Sequence, residues 1–344
     1  MRSGGLIESP GNSNGADGPA AGILGLMAAR YPARVWLALL TIYLVWGSTF
    51  IALAITVRDL PPLLSMAIRH LLAGALLLAW ALPSGDREGD RIGAPQVLAG
   101  FVFGGLLFLI GHGSLAWAQQ TVSAGVAALL VGTIPIWMAL LDRVFFGKRL
   151  RSSAYVGFVL GFVGLTFLLD PFGEGSIDRI GAMAIILGAL AWSAGSLYSR
   201  GAALPKRPLV SAGLGAICGG ILLLIVSLAG GELGEATWSV DALLAVGYLI
   251  VVGSLVGFTA YVWLLRVAPV SLVATYAYVN PIVAVALGWL LLGEAITLQM
   301  LVAGAAIVVA VALILRASGA ALEPGRGLLR RRERVPDPVT ETTH

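Results

Sequence analysis

Residues 135–148 read PIWMALLDRVFFGK and residues 281–294 read PIVAVALGWLLLGE, so one segment of the chain recurs 146 positions later. The chain holds 16 prolines and 9 tryptophans, which is too few for chance to explain several such matches in one register. We therefore infer an internal duplication. The same offset, without gaps, also relates Trp46 to Trp192, Pro62 to Pro208, Ser65 to Ser211, Gly74 to Gly220, Gly111 to Gly257 and Trp117 to Trp263.

The composition defines the class of protein. Of the 344 residues, 58% are hydrophobic and 12% are charged, and the mean hydropathy is +0.92. A soluble domain has about 45–50% apolar and about 25% charged residues. Because water cannot accommodate so much apolar surface, we expect an all-α integral membrane protein. Soluble enzymes, nucleic-acid-binding proteins and disordered scaffolds are excluded on the same ground.

Ten apolar runs, each long enough for a transmembrane helix, lie between Val35 and Arg316. Their polar connections also predict the orientation, because cytoplasmic loops are enriched in Lys and Arg. If both termini are cytoplasmic, 19 of the 22 Lys and Arg residues lie on that side, and only Arg58 and Arg179 lie outside. We therefore predict ten transmembrane helices in the cytoplasmic (inner) membrane, with both termini in the cytoplasm.

Each copy of the duplication contains five spans, and this odd number makes the second copy enter the membrane from the opposite side. Inverted repeats of this kind are typical of carriers that alternate access around a site near the bilayer midplane. The predicted organisation is a flexible cytoplasmic leader at 1–34, a first five-helix repeat at 35–170, a second five-helix repeat at 180–316 and a basic flexible cytoplasmic tail at 317–344.

Pro135 and Pro281 fall inside the fourth and ninth spans. A proline within a helix leaves a backbone carbonyl without its usual partner, which a membrane protein tolerates where that backbone lines a cavity. Because the two prolines are related by the repeat, we favour two kinks that line a cavity over two packing kinks. Pairs of small residues such as Gly100 and Gly104 predict close helix packing instead.

Several motifs resemble those of EamA-type carriers of the drug/metabolite transporter superfamily. They are Trp46-Gly47-Ser48-Thr49-Phe50, Pro61-Pro62, Arg69 with Leu71-Leu72-Ala73-Gly74, Pro135 followed by Gly147-Lys148-Arg149-Leu150, and Asn280-Pro281 followed by Leu292-Gly293-Glu294. The resemblance covers about 35–316. It implies two five-helix EamA domains that export or exchange small metabolites such as amino acids across the bacterial inner membrane. The chain departs from the family at Lys148, where a glutamate is usual.

Arg69 is the only charged residue within a predicted span. An intramembrane charge is a functional candidate, so Arg69 could be the counter-charge for a carboxylate or an anchor for the helix bundle. It could also extend to the outer headgroups, about 10 Å away at 1.5 Å per helical residue. Ser65 lies one turn earlier on the same face. His70 and His112 are the intramembrane histidines, and they are candidates either for proton coupling or for packing.

The remaining candidates are side chains that could line a cavity, a role that we also predict for Ser65, Arg69 and His112. Trp46 and Trp192 lie near mid-span rather than at the interfaces where tryptophan accumulates, so we expect them to form cavity walls. The other polar candidates are Thr49, Ser196, Tyr198, Thr275, Tyr276, Tyr278 and Asn280.

We predict a secondary carrier that works by alternating access and exports or exchanges amino acids or related amphipathic solutes. A channel is the alternative, although no ring of charges or filter segment is present in the sequence. A membrane enzyme is less favoured, because no Ser–His or Asp–Asp constellation can be assembled. We therefore expect no catalytic residue, metal or cofactor. The expected partners are a small solute and the lipid bilayer but not nucleic acid, and a homodimer is left open.

Overall fold

Helices form the regular structure throughout the part of the chain that the computed structural model describes, which is residues 31–84, 89–147, 150–169, 177–268 and 270–319. The ten main segments are α1 (Ala33–Thr56), α2 (Pro62–Ala81), α3 (Ala94–Ala118), α4 (Ala124–Val131 and Ile134–Phe146), α5 (Ser152–Leu169), α6 (Arg179–Tyr198), α7 (Pro208–Ala229), α8 (Val240–Val267), α9 (Val270–Val273 and Tyr276–Leu292) and α10 (Leu298–Gly319).

Nine of these segments are long and apolar enough to cross a membrane within the described residues. The exception is α9, in which a turn at Val270–Val273 precedes a helix of 17 residues, Tyr276–Leu292. Together the two parts of α9 occupy the predicted ninth span. The fold class is therefore confirmed as an all-α membrane protein with ten helical segments. Most of the predicted leader and tail, residues 1–30 and 320–344, lies outside the described residues.

Residues related by the repeat define corresponding helix ends. Pro62 and Pro208 each occupy the first position of their helices, α2 and α7. At this position a backbone N–H would have no partner within the helix, so proline loses no hydrogen bond, and its fixed φ suits the helix. Gly147 and Gly293 end α4 and α9 with φ values of +63° and +68°. Glycine adopts this left-handed conformation without steric cost, so both helices end at corresponding residues of the repeat.

The packing of the helices follows a pseudo-two-fold relation between the repeats, in which α1 to α5 correspond to α6 to α10. Helix α1 packs against α8 and α9, and its counterpart α6 packs against α3 and α4. Helices α2 and α7 pack against each other, and so do α5 and α10. We call α1, α8 and α9 the first lobe and α3, α4 and α6 the second lobe. Each lobe thus combines helices from both halves of the sequence.

Glycines allow α3 and α7 to cross almost in backbone contact. A Cβ atom on Gly104 would lie 2.3 Å from the carbonyl oxygen of Gly215 and 2.6 Å from the nitrogen of Gly219. These are backbone atoms that cannot move aside independently. The close packing that the small-residue pairs predict is confirmed at this crossing.

The two ends of the bundle differ in how the lobes meet. At the end where α1 finishes, one large buried cluster joins both lobes and includes Phe50, Val57 and Ala118. Near the start of α1, a separate small cluster built around Leu39 and Leu264 belongs to the first lobe alone. The lobes therefore share one buried cluster at the Thr56 end of α1, whereas the first lobe has a separate small core near the start of α1.

An ion pair holds the start of α7 against the connection between α2 and α3. The Arg207 guanidinium donates to a carboxylate oxygen of Asp90 and to the carbonyl of Ala81, which is the last residue of α2. The side chain of Asp90 is 3% exposed. This pair fastens the α2–α7 contact at its end.

Candidate functional site

Two tryptophans related by the repeat pack on glycines of the opposite half. Trp46 in α1 lies against Gly257 in α8, where an added Cβ would be 2.4 Å from the indole nitrogen. Trp192 in α6 lies against Gly111 in α3, where an added Cβ would be 3.2 Å from the ring. The four residues are two pairs in the 146-residue register, so each lobe contains the same tryptophan–glycine contact between the two halves.

Four residues that could bind a solute surround Gly253 of α8, three of them in the first lobe and one, Arg69, in α2. The indole nitrogen of Trp46 donates to the Gly253 carbonyl at 3.2 Å. A Cβ on Gly253 would lie 2.9 Å from a methyl carbon of Thr49 and 3.6 Å from a terminal nitrogen of Arg69. Arg69 also places its Nε 3.5 Å from the hydroxyl of Ser254. We call these four residues, Trp46, Thr49, Arg69 and Ser254, the Arg69 cluster.

Arg69 is buried, with 6% of its surface exposed. It therefore does not extend to the headgroups, which was one of the alternatives that the sequence left open. Within the described residues it forms no ion pair with an acidic side chain. The guanidinium is thus a buried cation whose one hydrogen-bonding partner among the described residues is the Ser254 hydroxyl.

A π-helical segment interrupts the middle of α3 at Gly105–His112 and the middle of α8 at Leu249–Val256. In the wider π turn the Ser254 hydroxyl donates to the carbonyl of Leu249, five residues earlier, at 3.0 Å. Single π turns inside helices are frequent at functional sites. These segments hold His112 and Ser254 in the bundle interior, one in each lobe.

An aromatic wall extends the Arg69 cluster along the first lobe. The ring of Trp46 lies 4.9 Å from that of Tyr276, 5.3 Å from that of Tyr261 and 6.0 Å from that of Phe258. Asn280 follows one turn after Tyr276, and its amide nitrogen donates to the carbonyls of Tyr43 and Tyr276 once the amide is oriented to satisfy them. Thr275 forms a hydrogen bond with the Tyr43 hydroxyl.

The histidines are separate from the Arg69 cluster: His112 lies in the second lobe, and His70 of α2 contacts it. The Nδ1 of His112 and the Nε2 of His70 are 2.9 Å apart, so one of these nitrogens donates to the other. Phe108 and Trp192 pack on this pair, with ring centroids 4.3 Å from His70 and 4.9 Å from His112 respectively. Arg69 and His70 are neighbours on α2 and therefore point to different lobes.

Other predicted site residues do not meet in one place. Ser65 is fully buried and donates to the carbonyl of Pro62, and Ser196 donates to that of Trp192, so both hydroxyls bind their own helices. Pro135 lies at the start of the second part of α4, after the break at Gly132 and Thr133, whereas Pro281 lies inside α9. Both helices are broken near these prolines, but the break in α9 comes earlier, at Ala274 and Thr275.

A glutamate joins the lobes at the Thr56 end of α1. The two carboxylate oxygens of Glu294, which follows α9, accept hydrogen bonds from the first two backbone N–H groups of α4, those of Ala124 and Gly125, at 2.6 and 3.0 Å. Residues 124–130 of α4 are all buried, whereas only Ile136 and Ala139 are buried in its second part. We call this contact the Glu294 seal.

Sequence reasoning missed Ser254, Gly253 and the π-helical segments. No periodic signal marks a π turn in an apolar run, and the residue that the repeat relates to Ser254 is Phe108. The contact between the hydroxyls of Ser48 and Tyr248, which are 2.6 Å apart, was also missed. In a run of apolar residues, the sequence does not indicate which hydroxyl faces the interior.

Comparison with known proteins gives the family. Residues 34–170 and 179–316 each match the EamA-like transporter family. The uncharacterized inner membrane transporter YedA of Escherichia coli (strain K12) is 36% identical over 278 residues, which cover 80% of this chain and 89% of that protein. A chloroplastic WAT1-related protein of Arabidopsis thaliana is 25% identical over 290 residues, 81% of this chain and 69% of that protein.

A solved crystal structure shares the fold, with a TM-score of 0.56 and 24% identity over 83% of this chain and 98% of that one. The chain is thus a multi-pass membrane protein built from two repeats of the same family. It belongs to the EamA-like transporter family, and this family and the transporter YedA indicate a transporter rather than an enzyme.

Proposed function

We propose that this transporter is a secondary carrier of the inner membrane that exports or exchanges small metabolites, such as amino acids or related amphipathic solutes, by alternating access. Both termini are cytoplasmic in this proposal, as the distribution of Lys and Arg predicts. The main support is that each lobe carries the same tryptophan–glycine contact between the two halves. Because the two lobes are related by the repeat, each lobe can adopt the conformation of the other. That exchange would open the closed end of the bundle and close the open end.

The two ends of the bundle support the same proposal. The Glu294 seal and the continuous buried cluster close the Thr56 end of α1, which is the outer end if the termini are cytoplasmic. At the other end, the first lobe has its own core. This arrangement corresponds to a carrier that is closed to the outside, with the Arg69 cluster approached from the cytoplasm.

The proposed cavity is lined by Trp46, Thr49, Tyr276 and Asn280 from the first lobe, by Arg69 from α2, and by His112 and Trp192 from the second lobe. Ser65 and Ser196 bind their own helices, so we now assign them to packing.

The experiment is a metabolite profile of the medium of bacteria that express this protein. A solute that is enriched only with the protein would identify cargo and show export. The same solute, in purified protein reconstituted in liposomes, should move with a rate that saturates and that unlabelled solute reduces. A flux that increases linearly with concentration would instead indicate a channel, and a new compound in the vesicles would indicate an enzyme.

A further inference from the structure

The Arg69 guanidinium is buried, and it forms no ion pair with an anionic side chain among the described residues. It is 6% exposed, and among the described residues its one hydrogen-bonding partner is Ser254, at 3.5 Å. A guanidinium carries five N–H donors, so most of them have no acceptor from the protein. A buried charge is costly unless it is paired, and this one lies in the middle of α2. Its surroundings are therefore suited to an anion that comes from outside the chain.

The hydroxyls beside Arg69 are already committed to the backbone. Thr49 donates to the carbonyl of Trp46 at 2.6 Å, and Ser254 donates to that of Leu249 at 3.0 Å. The guanidinium is therefore the main donor that an anion would meet. An added Cβ on Gly253 would lie 2.9 Å from a methyl carbon of Thr49, so the absence of a side chain at Gly253 lets the backbone of α8 pack directly against Thr49 and Arg69.

The charge count selects the class of anion. Arg69 is a single cation, and no second Lys or Arg belongs to the Arg69 cluster. A monoanion would form a neutral pair with it, whereas a phosphate-like dianion would leave a net charge in the membrane interior, which is costly. The planar fork of a guanidinium matches a carboxylate with two parallel hydrogen bonds. The aromatic wall of Trp46, Tyr261 and Tyr276 offers apolar faces next to it, which would also attract an ammonium group.

The second half of the repeat does not duplicate the Arg69 cluster. The residue of α7 that corresponds to Arg69 is Gly215, and the residue of α3 that corresponds to Ser254 is Phe108. The second lobe therefore presents the His70–His112 pair and Trp192, with no counterpart of the cation. A solute between the lobes would have a fixed orientation, with its anionic end at the first lobe.

We propose that Arg69 is the anion-binding residue of the transport site and that the solutes are amphipathic monocarboxylates, amino acids included. The carboxylate binds Arg69, and the remainder of the solute lies against Trp46 and Tyr276. This inference rests on the proposed carrier function and adds the chemical class of the cargo. Arg69 is then a binding residue and not an anchor of the bundle.

Thermal unfolding of the purified full-length protein in detergent tests this inference. The probes are the twenty standard amino acids and 3-phenylpropionate, each at about 1 mM, which is about a thousandfold above a micromolar dissociation constant. Phenylalaninamide, leucinamide and phenethylamine are the matched compounds without a carboxylate. We expect at least one carboxylate to raise the melting temperature and the compounds without a carboxylate to leave it unchanged.

Three variants separate binding from packing. In Arg69→Gln the apparent affinity for the stabilising carboxylate should fall by about 10- to 100-fold, the range for losing a hydrogen-bonded charge. Its melting temperature without ligand should stay unchanged or rise, because an unpaired buried cation has been removed. Arg69→Lys keeps the charge but loses the fork and should be intermediate. Arg58→Gln, at an exposed arginine, is the matched control and should behave as the native protein.

Several outcomes would overturn the inference. One is equal stabilisation by phenylalanine and its amide, and another is stabilisation by no carboxylate at all. Native-like affinity in Arg69→Gln, or a lower melting temperature of that variant without ligand, would make Arg69 a structural anchor. Failure of the inference is distinguishable from failure of the carrier proposal, because solute flux in liposomes would persist in the first case and be absent in the second.

Discussion

Weakening the Glu294 seal should open the outer end of the bundle. The substitution Glu294→Gln keeps the shape of the side chain but replaces one carboxylate oxygen with an NH₂ group, which cannot accept a hydrogen bond. One of the two contacts with Ala124 and Gly125, at 2.6 and 3.0 Å, is therefore lost. A hydrogen bond to a charged group contributes about 1.5–3 kcal/mol. Since about 1.4 kcal/mol corresponds to a factor of ten, the open state should become about 10- to 100-fold more populated.

The labelling rate of a cysteine beneath the seal measures this change. Ala128 is 1% exposed and lies on the face of α4 that Gly125 and Gly132 direct towards α9. We would introduce Ala128→Cys after replacing the only native cysteine by Cys218→Ala, and then add a membrane-impermeant maleimide to whole cells. We expect Glu294→Gln to raise the labelling rate about tenfold or more, in proportion to the open population.

The matched control is Glu235→Gln, because Glu235 is an exposed glutamate near the same end of the bundle. It should leave the labelling rate unchanged. Equal rates for Glu294→Gln and the native glutamate, measured at equal protein abundance, would refute the reasoning. The Glu294 contact would then be a helix cap that does not control access to the interior.

Two further predictions concern stability, and thermal or denaturant unfolding in detergent tests both. Gly104→Ala should destabilise the protein by about 1–3 kcal/mol, since its Cβ would meet the Gly215 carbonyl; Gly247→Ala, which meets nothing within 4 Å, should be neutral or stabilising by up to about 1 kcal/mol. Similar values for the two variants would contradict the tight α3–α7 crossing. Arg207→Gln, which strands a buried carboxylate, should cost up to about 3 kcal/mol. Arg200→Gln breaks an ion pair in which the arginine is half exposed, and it should cost about 1 kcal/mol or less. The reverse order would contradict the burial of the first pair.

The duplicated sequence predicted most of the fold, because hydrophobic length and the repeat register are both one-dimensional signals. The register even paired Trp46 with Trp192 and Gly111 with Gly257, which the structure brings into two corresponding contacts. What the sequence did not predict is the interlocking of the halves, by which Trp46 meets a glycine of the second repeat. That arrangement depends on helix–helix geometry rather than on local pattern.

The candidate site was predicted only in part, for a related physical reason. Arg69 stands out in the sequence because it is a charge within an apolar run, but whether it is paired, exposed or buried depends on its neighbours in space. Ser254 carries no signal of its own, since its position is created by the π turn of α8. Ser65 was expected near Arg69 because it lies one turn away, yet its hydroxyl is bound to the backbone of its own helix.

The most direct test of the carrier mechanism is counterflow in proteoliposomes. Vesicles would be loaded with an unlabelled excess of the solute identified from the medium and then diluted into a trace of the same solute with a radiolabel. A carrier that alternates between its two sides exchanges label for unlabelled solute, so we predict a transient accumulation of label above its equilibrium level, absent in vesicles without protein. A monotonic rise to equilibrium, with no overshoot at any loading concentration, would contradict alternating access and indicate a channel.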